Sequence, residues 1–117
     1  MFNPNGQLAQ RANYRDGIKE GPFESYHNNG QLWSRGNVVD GKQEGLAEGF
    51  YRSGRLQSRE NTVDGKLHGL YESFHENGQL SERGNFIDDE LDGLFEGFDE
   101  NGNLTKTRTY RNGELVE

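Results

Sequence analysis

A period of 24 residues runs through the chain and constrains its fold more than any other feature. Each copy carries a small polar residue followed by glycine, at Asn5-Gly6, Asn29-Gly30, Ser53-Gly54, Asn77-Gly78 and Asn101-Gly102. A leucine follows each of these glycines by two positions, and no insertion or deletion interrupts the register. Self-similarity at a fixed period indicates a repeat architecture, in which each unit packs against its neighbours.

Each unit contains two short runs that read as β-strands. In one copy they are "GLYESFH" and "QLSERGNFI", which are rich in aromatic and aliphatic residues and bounded by Asn-Gly and Asp-Gly signals. Asn-Gly between such runs is a strong hairpin signal. A two-residue loop at this signal predicts that Phe74 faces Ser81 and that Tyr71 faces Gly84. The link to the next unit, "VDGKLHGL", is predicted to be the longer of the two.

Counting outward from the turns predicts cross-strand pairs that recur from unit to unit. Glutamates face arginines in the pairs Glu24–Arg35, Glu48–Arg59 and Glu72–Arg83, which is a favourable arrangement. Phe23 is expected to cover Gly36 and Tyr71 to cover Gly84, while Ala47 faces Glu60. Exposed ion pairs contribute only about 0.2–1 kcal/mol each. We therefore expect rows of Leu, Phe and Val between successive units to supply most of the stability.

The predicted fold is all-β, an elongated single-layer antiparallel sheet of tandem 24-residue β-hairpin repeats. Residues 1–117 form a single repeat domain of about five units that are partial at both ends. Nine or ten strands at roughly 4.8 Å spacing predict a ribbon on the order of 45 Å long.

Composition and charge narrow the class of function. Hydrophobic residues are 29% of the chain and the mean hydropathy is −1.10, values typical of disorder, but 11% aromatic residues and only two prolines favour a folded chain. Cysteine is absent, so neither disulfides nor thiolate metal sites are available. The sequence shows no secretory or membrane-spanning segment, which predicts a cytoplasmic location. A net charge of −7 disfavours partners such as nucleic acids and anionic membranes.

The unit "GLYESFHENGQLSERGNFIDDEL" resembles the bacterial variant of the MORN repeat (membrane occupation and recognition nexus), and the resemblance covers essentially the whole chain. It implies the sheet of hairpins predicted above. Related eukaryotic MORN proteins are scaffolds or membrane-associated modules. Many small bacterial proteins of the variant type look like antitoxin or immunity components, so this is the function that the resemblance implies.

No motif in the sequence assembles an active site or a cofactor site. The nucleophile elbow, the phosphate-binding loop, the dinucleotide fingerprint and the zinc-protease motif are all missing, which predicts a protein without catalysis or cofactor. Residues 88–99 place several carboxylates near the positions of a calcium loop. The expected flanks of such a loop are helices, whereas here they are strands, and its last position is Asp99 rather than a bidentate Glu. We predict a solvated acidic turn and no metal site.

Charge is divided unevenly along the chain. Residues 1–59 hold eight Lys and Arg against six Asp and Glu (net +2), and residues 60–117 hold five against fourteen (net −9).

Trp33 and Tyr51 depart from the repeat pattern, and exposed aromatic residues are typical interface anchors. The predicted partner-binding residues are Asp88, Asp89, Glu90, Asp92, Glu96, Asp99, Glu100, Glu72, Glu76, Glu82, Trp33 and Tyr51. The alternative interpretations are drift on a solvated sheet and, for the acidic residues, solubility or edge protection.

These observations predict a non-enzymatic protein-binding module. The leading hypothesis is an antitoxin or immunity protein that binds a basic toxin and occludes its active or substrate-binding surface, because charge complementarity accelerates and strengthens such association. The alternative is a MORN-type scaffold or membrane-associated protein. We expect a monomer or a weak homodimer.

Overall fold

The computed structural model describes residues 10–116, and within them it forms one open sheet of thirteen antiparallel strands. Nine strands are long and four have only two residues. The strands are β1 (Gln10–Arg15), β2 (Ile18–Tyr26), β3 (Leu32–Val39), β4 (Lys42–Gln43), β5 (Gly45–Phe50), β6 (Leu56–Val63), β7 (Lys66–Leu67), β8 (Gly69–Phe74), β9 (Leu80–Ile87), β10 (Glu90–Leu91), β11 (Gly93–Phe98), β12 (Leu104–Arg111) and β13 (Glu114–Leu115). The predicted all-β fold is confirmed.

The long strands follow one another across the sheet in chain order, from β1 through β2, β3, β5, β6, β8, β9 and β11 to β12. Each two-residue strand pairs with the long strand that precedes it in the chain, as β4 does with β3 and β7 does with β6. The molecule measures 47 × 33 × 17 Å along its principal axes, so its length agrees with the ribbon predicted from strand spacing. The Asn5-Gly6 copy of the repeat lies outside the described residues.

The register inside each hairpin is the predicted one along the body of the strands. Glu72 pairs with Arg83 and Tyr71 with Gly84, and one unit earlier Ala47 pairs with Glu60. The period of 24 residues is therefore also a spatial period, in which equivalent residues lie in rows across the sheet.

The Asn-Gly turns differ from the prediction. They are three-residue loops, in which the His75 N–H donates to the Gln79 carbonyl at 2.8 Å and only the glycine, Gly78 (φ 90°), has positive φ. The Asn77 side chain accepts the Gln79 N–H at 2.9 Å, which holds the loop in this form. Phe74 consequently pairs with Leu80 instead of Ser81.

The two-residue turns lie instead at the Asp-Gly positions, within the link that was predicted to be longer. Asp64 (φ 54°) and Gly65 (φ 81°) both adopt the left-handed conformation that a tight hairpin turn of this type requires. The chain then forms β7 against β6 and bulges at Gly69 (φ 102°), before β8 resumes pairing with β6 in a shifted register. Positive φ explains the glycine at the bulge.

The sheet has two faces of different chemistry. We name the first the ladder face, after the row Arg11, Glu24, Arg35, Glu48, Arg59, Glu72, Arg83 and Glu96. We name the second the glycine face, after the row Phe23, Gly36, Ala47, Glu60, Tyr71, Gly84 and Phe95. The deepest side chains, Val38 (6% exposed) and Thr62 (3% exposed), are on the glycine face. The described part of the sheet thus buries its side chains in shallow rows on one face and has no closed core.

Three glutamates of the ladder, Glu24, Glu48 and Glu72, each lie between two arginines, whereas Glu96 lies between Arg83 and Thr107. Their closest ion pairs reach the arginine of the preceding hairpin, as in Arg35–Glu48 (2.7 Å), and equivalent pairs are Arg59–Glu72 (2.8 Å) and Arg83–Glu96 (2.7 Å). The predicted partners within one hairpin are neighbours in register, but the ion pairs themselves connect successive units. The ladder therefore helps one repeat to recognise the next.

Aromatic rings cover glycines on the second face, with one correction to the predicted partners. A Cβ at Gly36 would lie 3.0 Å from the ring of Phe23, as expected. Gly84 is covered by Phe95 from the following strand, whose Cδ2 would lie 2.7 Å from a Cβ there. Tyr71 packs edge-on against Phe86 instead, with the ring centroids 5.9 Å apart.

Candidate protein-interaction surface

An exposed row of aliphatic side chains crosses the ladder face. Sequence reasoning assigned such rows to packing between units, yet half of the surface of these leucines is open to solvent. The row consists of Val39 (41% exposed), Leu46 (54%), Val63 (42%), Leu70 (53%), Ile87 (44%) and Leu94 (50%), and we name it the aliphatic stripe. Apolar side chains that recur, exposed, on one face in successive units indicate a candidate interaction surface.

Strand alternation explains why the aliphatic stripe is exposed. Leu70 follows the bulge at Gly69 and shares its face with Glu72, because residues two apart in a strand point the same way. Its cross-strand neighbour Asn85 is polar and exposed. No second layer covers this face within residues 10–116, so the leucine stays at the surface. The sequence contains a signal for this exposure, because the leucine and the glutamate two positions later at the start of each unit share one face of the strand.

The ladder beside the aliphatic stripe is held in place by cation–π contacts as well as ion pairs. The Arg35 guanidinium lies 5.4 Å from the ring centroid of Phe50, and equivalent contacts are Arg59–Phe74 (5.8 Å) and Arg83–Phe98 (5.7 Å). Each arginine is thus fixed by a carboxylate and a ring. The ladder forms an ordered, charge-balanced platform at the centre of the face.

Asp88, Asp89, Glu90 and Asp92 lie together at one long edge of the sheet, and we name them the acidic turn. Asp88 (φ 47°) and Asp89 (φ 71°) form a two-residue turn of the same shape as Asp64-Gly65. We number the units so that the second, third and fourth are residues 21–44, 45–68 and 69–92. The second and third units have glycine and lysine where the fourth has Asp89 and Glu90. The acidic turn follows Ile87 directly and Leu94 comes two residues after it, so the aliphatic stripe and the acidic turn adjoin.

Two members of the acidic turn also have structural contacts. The Asp89 carboxylate accepts the Leu67 N–H at 2.7 Å, and the Asp92 carboxylate accepts the Asn112 N–H at 3.4 Å. Elsewhere Glu44 accepts the Asp64 N–H at 3.0 Å, but His68 occupies the equivalent position in the next unit. His68 has no carboxylate to accept a backbone N–H as Glu44 does. Asp89 provides a carboxylate acceptor at this junction between units instead.

The remaining predicted acidic residues do not join the acidic turn. Glu100 lies in a three-residue loop at the opposite long edge, Asp99 directly precedes that loop, and Glu76 lies in the equivalent loop of the preceding hairpin. Strand β11 separates the two edges by six residues, which is on the order of 20 Å at about 3.3 Å per residue. The segment 88–100 is continuous in sequence but contributes to two separate surfaces.

Four predicted residues, Asp99 among them, form contacts within the sheet or lie on the other face. The side chains of Glu72 (14% exposed) and Glu96 (19% exposed) are held in the ladder. Glu82 lies on the glycine face, beside a hollow that Lys106 also lines. The Asp99 carboxylate accepts the backbone N–H groups of Asn103 and Asn101, both at 2.9 Å. These bonds, the one from Asn103 foremost, lower the pKa of Asp99.

The two predicted aromatic anchors have different environments. The Tyr51 hydroxyl donates to the Phe74 carbonyl at 2.6 Å, in the place where His27 bonds to the Phe50 carbonyl (2.9 Å) in the preceding unit. Tyr51 is thus a structural replacement for histidine. Trp33 is 53% exposed and its ring lies 5.8 Å from that of His27, so it is open to a partner.

Arg55 has a structural role at the only described turn that lacks its asparagine. In the neighbouring units Asn29 donates to the Arg52 carbonyl (3.1 Å) and Asn77 donates to the Glu100 carbonyl (2.7 Å). The third unit has Ser53 at this position, and Arg55 donates to the Glu76 carbonyl at 3.1 Å instead. This unusual turn therefore preserves the same connection between units.

Residues 10–116 contain no group of three or more His, Cys, Asp or Glu side chains arranged to hold a metal ion. In that same part of the chain, no helix has the length and apolarity needed to cross a membrane.

The fold and its surfaces define a class, a tandem β-hairpin repeat protein that presents an open sheet. The model of the MORN repeat variant matches residues 1–16, 19–40, 67–88 and 91–112. The chain therefore belongs to the MORN repeat variant family, whose repeats serve as interaction or scaffold modules and are generally not catalytic. No curated protein matches the chain. The matched segments leave out residues 41–66, although that region forms the same hairpin.

Proposed function

We propose that this protein uses the ladder face of its fourth unit to bind a basic protein, and that the partner is a toxin whose active or substrate-binding surface it occludes. This would make it an antitoxin or immunity protein. The observation that carries the proposal is the junction of exposed aliphatic and acidic groups, where Ile87 (44% exposed) and Leu94 (50% exposed) flank the acidic turn.

The two parts of this surface have complementary roles in association. Burial of exposed aliphatic side chains stabilises a complex by roughly 25 cal/mol per Å² of apolar surface before the costs of association. Carboxylates at the rim accelerate the encounter with a basic surface and select against acidic ones. Residues 60–117 carry a net charge of −9, so the acidic turn lies in the half of the chain with the stronger negative field.

The first experiment is affinity capture of the tagged full chain from its source cells. We expect one stoichiometric, basic partner whose expression alone arrests growth and whose toxicity the chain relieves. Recovery of membranes or of several unrelated proteins would contradict the toxin hypothesis and favour a scaffold.

Variants of the acidic turn test where the captured partner binds. Asp89→Gly with Glu90→Lys rebuilds the Asp-Gly-Lys turn of the second and third units, so the backbone keeps a conformation that the chain already uses. We expect the association rate with the partner to fall about tenfold or more at low ionic strength, since loss of rim charge acts mainly on encounter. Surface plasmon resonance at two salt concentrations measures this change.

A charge isomer is the matched control. It combines the same two substitutions with Gly41→Asp and Lys42→Glu, which moves the acidic pair to the second unit and keeps the net charge at −7. If position matters, the isomer associates as slowly as the double variant. Association at the wild-type rate would show that net charge alone is responsible and would refute the assignment to the fourth unit.

A further inference from the structure

A hollow of about 190 Å³ opens on the glycine face, near the middle of the sheet. Its walls include Phe23, Ser34, Gln43, Ala47, Ser58 and Glu60. Arg35 and Glu48 also line it, and the space lies where the side chains of Ser34, Ala47 and Ser58 are small. An apolar cavity of about 150 Å³ holds a benzene-sized molecule, so this hollow has room for a long side chain.

The hollow exists because one unit departs from the repeat at two facing positions. Phe23, Tyr71 and Phe95 occupy the positions equivalent to Ala47, and glycine stands in the neighbouring units where Glu60 stands here. This unit therefore lacks the aromatic ring at Ala47 and has an additional carboxylate at Glu60. Ala47 and Glu60 pair directly in register. Both lie within residues 41–66, the region that the family model does not match.

No cation among residues 10–116 forms an ion pair with the Glu60 carboxylate. It is half-buried, and burial raises its pKa. Within residues 10–116 it takes part in no hydrogen bond or ion pair, whereas Arg35, at the edge of the hollow, is bound to Glu48 at 2.7 Å. The ammonium of Lys19 lies 5.0 Å from the ring centroid of Phe23 and forms no ion pair with Glu60. A half-buried carboxylate without a partner favours the approach of a cation.

We propose that this hollow binds one lysine or arginine side chain of a second protein, on the face opposite to the ladder. The Ala47 methyl and the Phe23 ring would contact the alkyl stem, and the ring also favours a nearby cation. The Glu60 carboxylate would accept a charge-assisted hydrogen bond from the cationic head, and the hydroxyls of Ser34 and Ser58 would accept others. The sheet would then present one binding surface on each face. This inference stands independently of the toxin hypothesis.

Single amino-acid derivatives test the hollow without any protein partner. Nα-acetyl-lysine amide and Nα-acetyl-arginine amide would be titrated into the isotope-labelled full chain, and NMR shifts followed at the Ala47 methyl and the Gly49 and Ser58 amides. We expect saturable shifts confined to these residues. Nα-acetyl-norleucine amide, which has an alkyl chain without the charge, should bind at least about tenfold more weakly, a difference of roughly 1.4 kcal/mol.

Variants separate the charge from the shape of the hollow. Glu60→Gln keeps the shape and should abolish the preference for the cationic derivatives over norleucine amide. Ala47→Phe with Glu60→Gly rebuilds the pairing of Phe23 with Gly36 and should abolish binding by filling the hollow. Glu82→Gln, on the same face, is the control and should bind as wild type. Equal binding of norleucine amide to wild type, or unchanged lysine binding by Glu60→Gln, would overturn the proposal.

Discussion

Single side chains at the three-residue loops connect each hairpin of this sheet to the next. His27, Tyr51 and His75 each reach a backbone carbonyl 23 residues further along the chain, at 2.9, 2.6 and 2.8 Å. Imidazole and phenol groups differ in size, but both place a polar atom at the end of a rigid ring. A residue that departs from the repeat pattern can therefore preserve the contact that the pattern serves.

Removal of this contact at Tyr51 should weaken the sheet. We expect Tyr51→Phe to lower the free energy of unfolding by about 0.5–1.5 kcal/mol, the usual net contribution of one hydrogen bond. Tyr51→His restores the group found in neighbouring units and should stay within about 0.5 kcal/mol of wild type. Urea unfolding followed by circular dichroism measures both changes. Equal losses in the two variants would show that an imidazole does not replace the phenol hydroxyl at this position.

Glu60 should make stability depend on pH in a defined direction. Burial raises the pKa of Glu60 above its ordinary value of 4.5, so folding favours the protonated carboxyl. The stabilisation from this preference is complete below 4.5 and is lost as the pH rises through the higher pKa of the folded state. We expect Glu60→Gln to be more stable than wild type at pH 7 and this advantage to shrink as the solution is acidified. Urea midpoints at several pH values test this, and an advantage that grew toward low pH would contradict it.

At the scale of the strand pair, turns and aromatic–glycine contacts determine how the hairpins associate. The three-residue loops use one left-handed glycine, and the two-residue turns use a pair of left-handed residues, which Asp, Asn and Gly supply. The bulge at Gly69 shifts the register between the two-residue turn and the next long strand. Each unit thus needs four backbone positions with positive φ, and in most units three of them are glycine, which accounts for much of the glycine in the sequence.

Gly84 should be sensitive to a single methyl group. A Cβ there would lie 2.7 Å from Cδ2 of Phe95, so the ring must move, and we expect Gly84→Ala to cost about 1–3 kcal/mol. Gly36→Ala meets the ring of Phe23 at 3.0 Å and should cost less. Thermal unfolding of both variants measures the difference. A Phe95→Ala background should remove most of the penalty at Gly84, and a penalty that persists there would exclude the ring contact as its cause.

At the scale of the whole molecule, the sheet is a row of similar units in which each unit contacts mainly its two neighbours. Ion pairs, hydrogen bonds at both edges and pairing between adjacent strands connect each unit to the next, and no side chain among residues 10–116 is fully buried. Stability should then be close to a sum over units and their interfaces, so it changes with the number of repeats.

Deletion of residues 41–64 tests this picture. It joins Asp40 to Gly65 in the same two-residue turn and brings Glu72 opposite Arg35. We expect a folded sheet that is about 10 Å shorter, because two strands at roughly 4.8 Å are removed, with a lower urea midpoint. Small-angle scattering and urea unfolding measure these changes. An unfolded product would show that the third unit has a special role in the fold.

The aliphatic stripe belongs to the whole-molecule scale, since its members come from several units. The sequence contained the acidic residues 88–100 as one run, and the structure distributes them between two long edges. It also places Ile87 and Leu94 beside the acidic turn, an association that charge counting did not reveal.

Periodicity by itself determined the spacing of the hairpins, the register along the body of the strands and the length of the ribbon. Equivalent residues 24 positions apart must lie in rows when each unit has the same shape, so local spacing is enough to predict pairs such as Glu72–Arg83. Only the tertiary structure decided the turn types and the ion-pair partners. An asparagine side chain bonded within its loop selects a three-residue turn, and a glutamate between two arginines pairs with the one that its rotamer reaches. The hollow at Glu60 likewise required the fold, because it depends on a ring that is missing from a row of neighbouring strands.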